Sequence, residues 1–350
     1  MIKTTVKIVS STGHEPTLVE DSMKTRRVGR EGPQVSAIGL GCMAMSANAY
    51  GKPDQDEALA TLNMAIDSGL NFFDTARHYG DGRNEELIAK AMSGRRDSVV
   101  IGSKFGTIIR DDGSRGVSGR PDLIPEACEG SLKRLGTDYI DIYYLHRIDP
   151  DVPIEETVGG MAKLVEQGKV RHLGLCEAAP ETLRRACSVH QITALETEYS
   201  LWSRDPENDL FSTCRELGIG FVGYSPLGHG FLTATVKSMA ALDDDDNRRR
   251  YPRFQDENLE SNLTLLKTLE SVADGKGCAP VQIALAWILA QGDDIVPIPG
   301  TRTRTHLREI IDAADILLDD GELDTLDQAF APSAVAGERW PPGVMKRLNG

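Results

Sequence analysis

The sequence predicts an α/β protein built on a closed (β/α)8 barrel, the fold of a TIM barrel, and three observations support this fold class. Short apolar runs alternate with segments whose apolar residues recur at helical spacing, an alternation typical of parallel sheets. Eight such strand-and-helix units follow one another in the 350-residue chain. The first strand lacks the G-x-G-x-x-G turn that marks an open doubly wound sheet, which is the alternative architecture.

The eight strands are predicted where apolar runs end in polar residues or glycine. They are expected at about 38–42, 71–74, 98–103, 139–145, 170–175, 193–198, 220–224 and 295–298. The helices that follow are expected at about 56–68, 84–93, 121–135, 154–167, 180–189, 206–217 and 303–314. Several of these helices stop at a glycine, such as Gly69, Gly136 or Gly218, which is a common helix terminator.

Three segments are additional to the eight strand-and-helix units of the barrel. Residues 26–39 predict an N-terminal hairpin, residues 259–273 and 280–291 predict two extra helices, and the tail after Leu323 is expected to fold over one end of the barrel. Residues 23–350 are predicted to form a single domain. Residues 1–22 are expected to form a flexible extension, and the sequence leaves open whether translation starts at Met1 or at Met23.

Composition argues against several classes of protein. The formal net charge of -14 is opposite in sign to that of a nucleic-acid-binding surface. No apolar run reaches the length of a membrane-spanning helix. The six cysteines form no C-x-x-C pair, so neither a zinc knuckle nor a disulfide framework is expected. We therefore expect a cytoplasmic protein without nucleic-acid or membrane partners, and the sequence does not predict its oligomeric state.

Four chemically active residues follow three successive strands. Asp74 ends the second strand, and Tyr79 lies on the loop after it. Lys104 ends the third strand and His146 follows the fourth. Because the C-terminal ends of barrel strands form one catalytic face, we expect these side chains to lie together.

These four residues suit carbonyl chemistry. A buried lysine is costly unless paired, and Asp74 would keep Lys104 charged. Lys104 would in turn lower the pKa of Tyr79 from about 10, which makes Tyr79 a general acid. His146 can donate a hydrogen bond to the substrate oxygen. No metal is needed, but a hydride donor must be borrowed.

Each of these residues also has an ordinary structural explanation. Asp74 could cap a strand, Lys104 could extend to the surface, His146 could be a core histidine and Tyr79 an ordinary loop residue. The joint pattern on successive strands favours the functional interpretation.

Several further motifs resemble the aldo-keto reductase superfamily, in particular the branch that contains perakine-reductase-like enzymes. The similarity runs from about residue 24 to the C-terminus and rests on the segments 36–43, 73–76, 79–80, 103–106, 135–141, 224–228 and 297–301. The resemblance implies a TIM barrel that binds NAD(P)H at its C-terminal face without a Rossmann motif. It also implies that Asp74, Tyr79, Lys104 and His146 form the catalytic tetrad.

The resemblance also implies a cofactor cradle. Tyr224 would stack on the nicotinamide ring, and its carboxamide would be held by Cys176, Glu177 and Glu196. The pyrophosphate would be lined by Ser225, Leu227, Gly228 and Gly230. The loop after the last strand would bind the remaining phosphate through Gly300, Thr301, Arg302 and Arg304, with Arg302 on the 2′-phosphate. NADPH or NADP+ is the expected cofactor, and NADH is an alternative.

Four positions depart from the family pattern: Cys176 replaces a serine, Glu196 a glutamine, His229 an arginine and Ile310 an asparagine. The changes at Glu196, His229 and Ile310 leave the choice between NADP and NAD open. A carboxylate at Glu196 would favour the positively charged oxidised nicotinamide.

The sequence therefore predicts reversible, NADPH-dependent reduction of an aldehyde or ketone to an alcohol. One alternative is a cofactor-binding regulatory subunit on the same fold, similar to potassium-channel β-subunits. A glycosidase would need a second carboxylate, but the neighbouring strands bring Lys104 and His146. Met45, His78 and Trp202 are predicted to contact the substrate, whose identity and physiological direction the sequence does not predict.

Overall fold

The computed structural model describes residues 23–46, 52–110, 113, 115–244, 246–345 and 348. Residues 1–22, for which the sequence predicts a flexible extension, lie outside this part of the chain.

Eight parallel strands form the centre of the molecule and confirm the predicted barrel. Each strand pairs with the next barrel strand along the chain. The strands are β1 (Leu40–Gly41), β2 (Phe72–Asp74), β3 (Val100–Phe105), β4 (Ile140–Leu145), β5 (Val170–Cys176), β6 (Ile192–Glu198), β7 (Gly220–Tyr224) and β8 (Ile295–Ile298). Backbone hydrogen bonds from Gly39 to Pro297 (2.9 Å) and from Gly41 to Pro299 (3.0 Å) close the barrel between β1 and β8.

The predicted strand ends hold to within two residues. The strand β3 is displaced at both ends and continues to Phe105, although the sequence suggested an end at Ser103. The reason is tertiary: Lys104 and Phe105 pair in register with Tyr144 and Leu145 of β4, so the ladder extends beyond the apolar run.

Helices cover the outside of the barrel. They are α1 (Gln55–Asp67), α2 (Arg83–Ala91), α3 (Ile124–Leu135), α4 (Ile154–Glu166), α5 (Pro180–Cys187), α6 (Leu210–Leu217), α7 (Asp256–Lys276), α8 (Pro280–Ala290), α9 (Arg304–Asp312), α10 (Asp320–Ala329) and α11 (Pro342–Met345). The extra helices α7 and α8 were predicted, but α10 was missed. Its signal is a capping box in which Asp319 and Glu322 each accept the other's backbone N–H.

Two hairpins accompany the barrel. The predicted one pairs Thr25–Arg27 with Gln34–Ser36. Val35 of this hairpin and the adjoining Val28 are buried against the barrel interior. This hairpin closes the N-terminal end of the barrel. A second hairpin, Thr107–Ile109 with Arg115–Val117, follows β3 at the other end and was not predicted.

The C-terminal tail crosses the C-terminal end of the barrel, as predicted. The buried Asn262 of α7 anchors it, because its amide accepts from the N–H of Ala336 (2.8 Å) and donates to the carbonyl of Ala336 (2.9 Å). The tail therefore covers the face on which the predicted catalytic residues lie. Among the helices of the described chain, none combines the length and apolar character that crossing a membrane requires.

Candidate active site

Asp74 and Lys104 meet inside the C-terminal end of the barrel. The Lys104 side chain is fully buried, and its Nζ contacts both carboxylate oxygens of Asp74. It also donates to the carbonyl of Thr75 at 3.1 Å. Burial by itself lowers the pKa of Lys104, but Asp74 and Glu196 raise it well above its ordinary value. Lys104 is therefore a buried cation held by Asp74.

Glu196 reaches the same ammonium group from β6. Its Oε2 lies 3.3 Å from Lys104 Nζ, and its side chain is 5% exposed. Burial, followed by the charge of Asp74, raises the pKa of Glu196 to about 8. Burial also raises the pKa of Asp74, against the effect of Lys104.

This shift moves Glu196 towards its neutral form, whereas the sequence suggested a negative charge at this position. The contact with Lys104 was missed, because only the curvature of the barrel brings β3 and β6 together. All seven residues of this strand, Glu196 included, are buried.

Tyr79 lies next to Lys104, whose Nζ is 5.4 Å from the centre of the phenol ring. The chain turns sharply after Tyr79, where Gly80 has a φ of 57°. A Cβ atom on Gly80 would approach the carbonyl oxygen of Ser46 to 2.7 Å, so glycine is required there. This turn holds Tyr79 at the barrel mouth with 9% of its surface exposed.

The lowered pKa predicted for Tyr79 is wrong for this structure. Burial raises the pKa of the phenol above its ordinary value, and Lys104 opposes that shift without cancelling it. The contact of Asp74 with the ammonium offsets its charge. Tyr79 is therefore a neutral phenol with a proton to donate.

Two histidines flank Tyr79. The ring centre of Tyr79 lies 4.8 Å from that of His78 and 6.0 Å from that of His146. Burial, followed by the charge of Arg147, lowers the pKa of His146 well below its ordinary value, so its imidazole is neutral. Its Nδ1 is buried and lacks a hydrogen-bond partner among the described residues. The four residues of the predicted tetrad are thus brought together.

A second polar group lies at the ends of β5, β6 and β7. The hydroxyl of Tyr224 donates to Glu177 Oε1 at 2.8 Å, and the N–H of Glu198 donates to the same oxygen at 3.2 Å. Glu177 has a φ of 52°, a conformation that few non-glycine residues adopt. The preceding Cys176 is a neutral thiol, because burial raises its pKa. Glu177 thus orients the Tyr224 ring.

Arg339 of the C-terminal tail completes this group and was missed by the sequence analysis. Its guanidinium donates to Glu177 Oε2 at 2.7 Å, and its Nε lies 3.5 Å from Glu198 Oε2. Glu198 also accepts from the hydroxyl of Ser203 at 2.8 Å. No local pattern identifies Arg339, since its partner Glu177 is 162 residues away along the chain.

The loop after β7 forms a tight turn with several left-handed residues. The φ angles are 48° at Ser225, 55° at Gly228, 57° at His229 and 89° at Gly230. The N–H groups of Gly228 and Gly230 donate to the carbonyls of Ser225 (2.9 Å) and Leu227 (3.0 Å), which closes the turn on itself. Leu227 is half-buried and packs against the surrounding core. The residues predicted to line a pyrophosphate therefore share one compact turn.

The loop after β8 packs against α1. Gly300 pairs with Gly41 of β1, and the adjoining Thr301 is buried. Thr61 of α1 donates to the carbonyl of Arg302 at 3.3 Å.

In the same loop, Arg304 forms a two-point contact with Glu57 of α1, with distances of 2.8 and 3.2 Å. Ile310, where the family has asparagine, is buried in a small apolar cluster. Arg304 is therefore engaged by a carboxylate beside the position predicted to bind phosphate.

The predicted substrate residues have different environments. His78 lies beside Tyr79, as described above. Trp202 is 2% exposed and stacks on Phe231 at 4.1 Å, and it lines a narrow cleft at the barrel mouth. Met45 is fully buried in the main apolar core. The structure thus brings His78, but not Met45, to the catalytic group.

A groove of about 980 Å³ lies at the opposite end of the barrel beside the N-terminal hairpin. Its lining includes Arg26, Arg30 and Asp293, which are remote from Tyr79. Within the described ranges, no cluster of three His, Cys, Asp or Glu side chains is arranged to hold a metal ion.

The barrel, the buried lysine–carboxylate group and the adjacent neutral tyrosine define a TIM-barrel enzyme site suited to proton transfer on a small molecule. Residues 37–331 match the model of the Aldo/keto reductase family, and the chain belongs to this family of oxidoreductases. The family uses NADPH or NADH and acts on small carbonyl compounds.

Three solved structures illustrate the similarity. The glycerol dehydrogenase AKR11B4 from Gluconobacter oxydans is 27% identical, with a TM-score of 0.81 over 88% of this chain and 96% of that chain. The thermostable aldo-keto reductase Tm1743, solved with the inhibitor epalrestat, is 32% identical, with a TM-score of 0.71 over 88% and 100%. An aldo/keto reductase from Klebsiella pneumoniae, in complex with NADP and acetate, is 30% identical, with a TM-score of 0.70 over 91% and 99%.

Proposed function

We propose that the protein is an NADPH-preferring reductase that converts an aldehyde or ketone to an alcohol, and that the reaction is reversible. The observation that carries this proposal is the buried Lys104–Asp74 pair beside the neutral side chains of Tyr79 and His146. A neutral phenol can give a proton, and a neutral imidazole can give a hydrogen bond without adding charge to the site.

Each member of the tetrad has a distinct role. Bound NADPH supplies a hydride to the carbonyl carbon. Tyr79 donates its hydroxyl proton to the carbonyl oxygen, and Lys104 stabilises the phenolate that remains. His146 orients the oxygen by a hydrogen bond, and Asp74 keeps Lys104 positioned and charged. General acid catalysis of this kind contributes about 10²- to 10⁴-fold in rate.

Several residues of this chain support the proposal that NADPH is the cofactor. The left-handed turn at Ser225, Gly228 and Gly230 has small side chains, which allow a pyrophosphate to approach the backbone. Tyr224, oriented by Glu177, offers a flat ring for stacking on the nicotinamide. Arg302 is proposed to bind the 2′-phosphate.

The relative from Klebsiella pneumoniae was solved with NADP, which supports the preference for NADPH. We further propose a cytoplasmic location. The six cysteines all lie in the described part of the chain and all have free thiols, which is typical of a reducing compartment.

The test measures NADPH and NADH oxidation against aldehydes, quinones and cyclic ketones, and the reverse reaction against alcohols. Turnover with at least one carbonyl is expected, with NADPH preferred. Tight NADPH binding without turnover on the whole panel would instead favour the regulatory-subunit alternative.

The role of Tyr79 is tested by Tyr79→Phe, which should abolish turnover and leave NADPH binding largely intact. Tyr139→Phe is the matched control, because Tyr139 packs between Arg96 and Arg171 away from the barrel mouth. Carbonyl reduction at the parental rate by Tyr79→Phe contradicts the proposal.

A further inference from the structure

We propose that Asp74, Lys104 and Glu196 form a proton store, which holds one proton on its carboxyl groups in the free enzyme and releases it when oxidised cofactor binds. The inference rests on the proposed function, since it requires a nicotinamide ring at the C-terminal mouth of the barrel. It goes further by giving Glu196 a role in the exchange of cofactor.

The geometry of the three groups carries the inference. Two carboxyl groups from β2 and β6 meet one ammonium group from β3, and their side chains are 4%, 5% and 0% exposed. If both carboxyl groups were ionised, the cluster would carry a net negative charge away from water. An uncompensated buried charge is costly, and one proton on a carboxyl group makes the cluster neutral.

Apart from Lys104, none of the described groups that face Glu196 carries a positive charge that could balance its carboxylate. Tyr79 from the turn after β2, Tyr144 from β4 and Cys176 from β5 are all neutral, because burial raises the pKa of each. Val222, its register partner on β7, is apolar. Lys104 is therefore the cation that both carboxyl groups share.

The stored proton belongs on Glu196 rather than on Asp74. Asp74 has both oxygens in contact with Lys104 Nζ. Glu196 approaches the same atom at the longer distance of 3.3 Å, through Oε2. The weaker contact leaves Glu196 as the group that ionises last, in agreement with its pKa of about 8.

Oxidised and reduced cofactors differ by a positive charge on the nicotinamide ring. Tyr224, the proposed platform for the ring, pairs in register with Glu198, and Glu196 lies two residues earlier on the same strand. A positive charge at this place favours the carboxylate. Glu196–COOH then gives its proton to the solvent as NADP+ binds, whereas NADPH leaves it in place.

This exchange makes NADP+ affinity depend on pH. Below the pKa of Glu196, NADP+ binding must expel a proton, so its dissociation constant should rise by up to about tenfold for each unit that the pH falls. NADPH affinity should change much less. Near neutral pH the store therefore favours departure of the oxidised cofactor after reduction.

Titration calorimetry of the full chain with NADP+ and with NADPH measures this exchange directly. Each titration is run at pH 7 in two buffers with different ionisation enthalpies, which gives the number of protons released. We expect about one more proton released per NADP+ than per NADPH. The difference should disappear in Glu196→Gln, and in the parent at about pH 10, where Glu196 is already ionised.

The melting temperature of Glu196→Gln shows whether this variant folds. If it does not, the comparison of the parent at pH 7 and at about pH 10 still tests the proposal. Glu155→Gln, which alters an exposed ion pair with Arg185, is the matched control and should retain the parental difference. Equal proton release for both cofactors in the parent, or an unchanged difference in Glu196→Gln, overturns the proton store. Failure to bind either cofactor overturns the proposed function itself.

Discussion

The guanidinium of Arg339 donates a 2.7 Å hydrogen bond to Glu177 Oε2, while the other oxygen of Glu177 accepts from the hydroxyl of Tyr224. The side chains of Arg339 and Glu177 are 6% and 1% exposed. A residue of the C-terminal tail thus fixes, through one carboxylate, the tyrosine ring proposed to stack on the nicotinamide.

Replacing Arg339 with methionine should weaken both the fold and the cofactor site. The change leaves the carboxylates of Glu177 and Glu198 without their shared cation in a buried place, which typically costs about 3–5 kcal/mol in the free energy of unfolding. The measurements are urea unfolding and the dissociation constant of NADPH. Arg339→Lys should recover part of both losses, because it restores the charge without the planar fork.

Arg185→Met provides the control for this prediction. Arg185 makes a similar two-point contact with Glu155, but both side chains are well exposed, so the loss should be about 0–1 kcal/mol. Equal costs for the two variants would show that the tail does not stabilise the barrel mouth through Arg339.

Asp74→Asn and Glu196→Gln should not be additive. Each single change leaves Lys104 with one carboxylate partner, whereas the double change leaves a buried ammonium with none. The interaction free energy between the two sites should therefore be about 1–3 kcal/mol in a double-mutant cycle measured by unfolding. A sum of the single effects would mean that the two carboxyl groups do not share Lys104.

The stability of the parent should fall as the pH rises from about 5 to about 8. The pKa of Glu196 in the folded chain is about 8, above its ordinary value of 4.5, so the folded chain binds a proton that the unfolded chain has lost. Unfolding then releases a proton, and a rising pH favours unfolding. Melting temperatures of Glu196→Gln should decline less over this range; parallel curves for the two proteins would refute the assignment.

Glu57→Gln should shift cofactor preference towards NADPH. Glu57 holds Arg304 by two contacts beside the position proposed to bind the 2′-phosphate, and its own negative charge repels that phosphate. Because exposed ion pairs contribute about 0.2–1 kcal/mol, the ratio of kcat/KM for NADPH over NADH should rise about 1.4-fold to fivefold. Glu155→Gln should leave the ratio unchanged, and a fall in the ratio for Glu57→Gln contradicts the idea.

The sequence by itself determined the order of strands and helices and the four residues of the proposed tetrad. Apolar runs that end in Asp74, Lys104 and His146 are local signals, and the parallel barrel places the ends of its strands on one face. The N-terminal hairpin and the extra helices α7 and α8 were also predictable, because their periodicity and glycine or proline boundaries lie within short windows of sequence.

The tertiary structure decided the electrostatics of the site. Glu196 contacts Lys104 across the barrel, and Arg339 reaches Glu177 from a distant part of the chain. Neither contact produces a periodic pattern in the sequence. The pKa of Tyr79 was mispredicted for the same reason: whether a lysine acidifies its neighbour depends on how deeply the phenol is buried and on which carboxyl groups already contact the ammonium. Both are properties of packing in three dimensions.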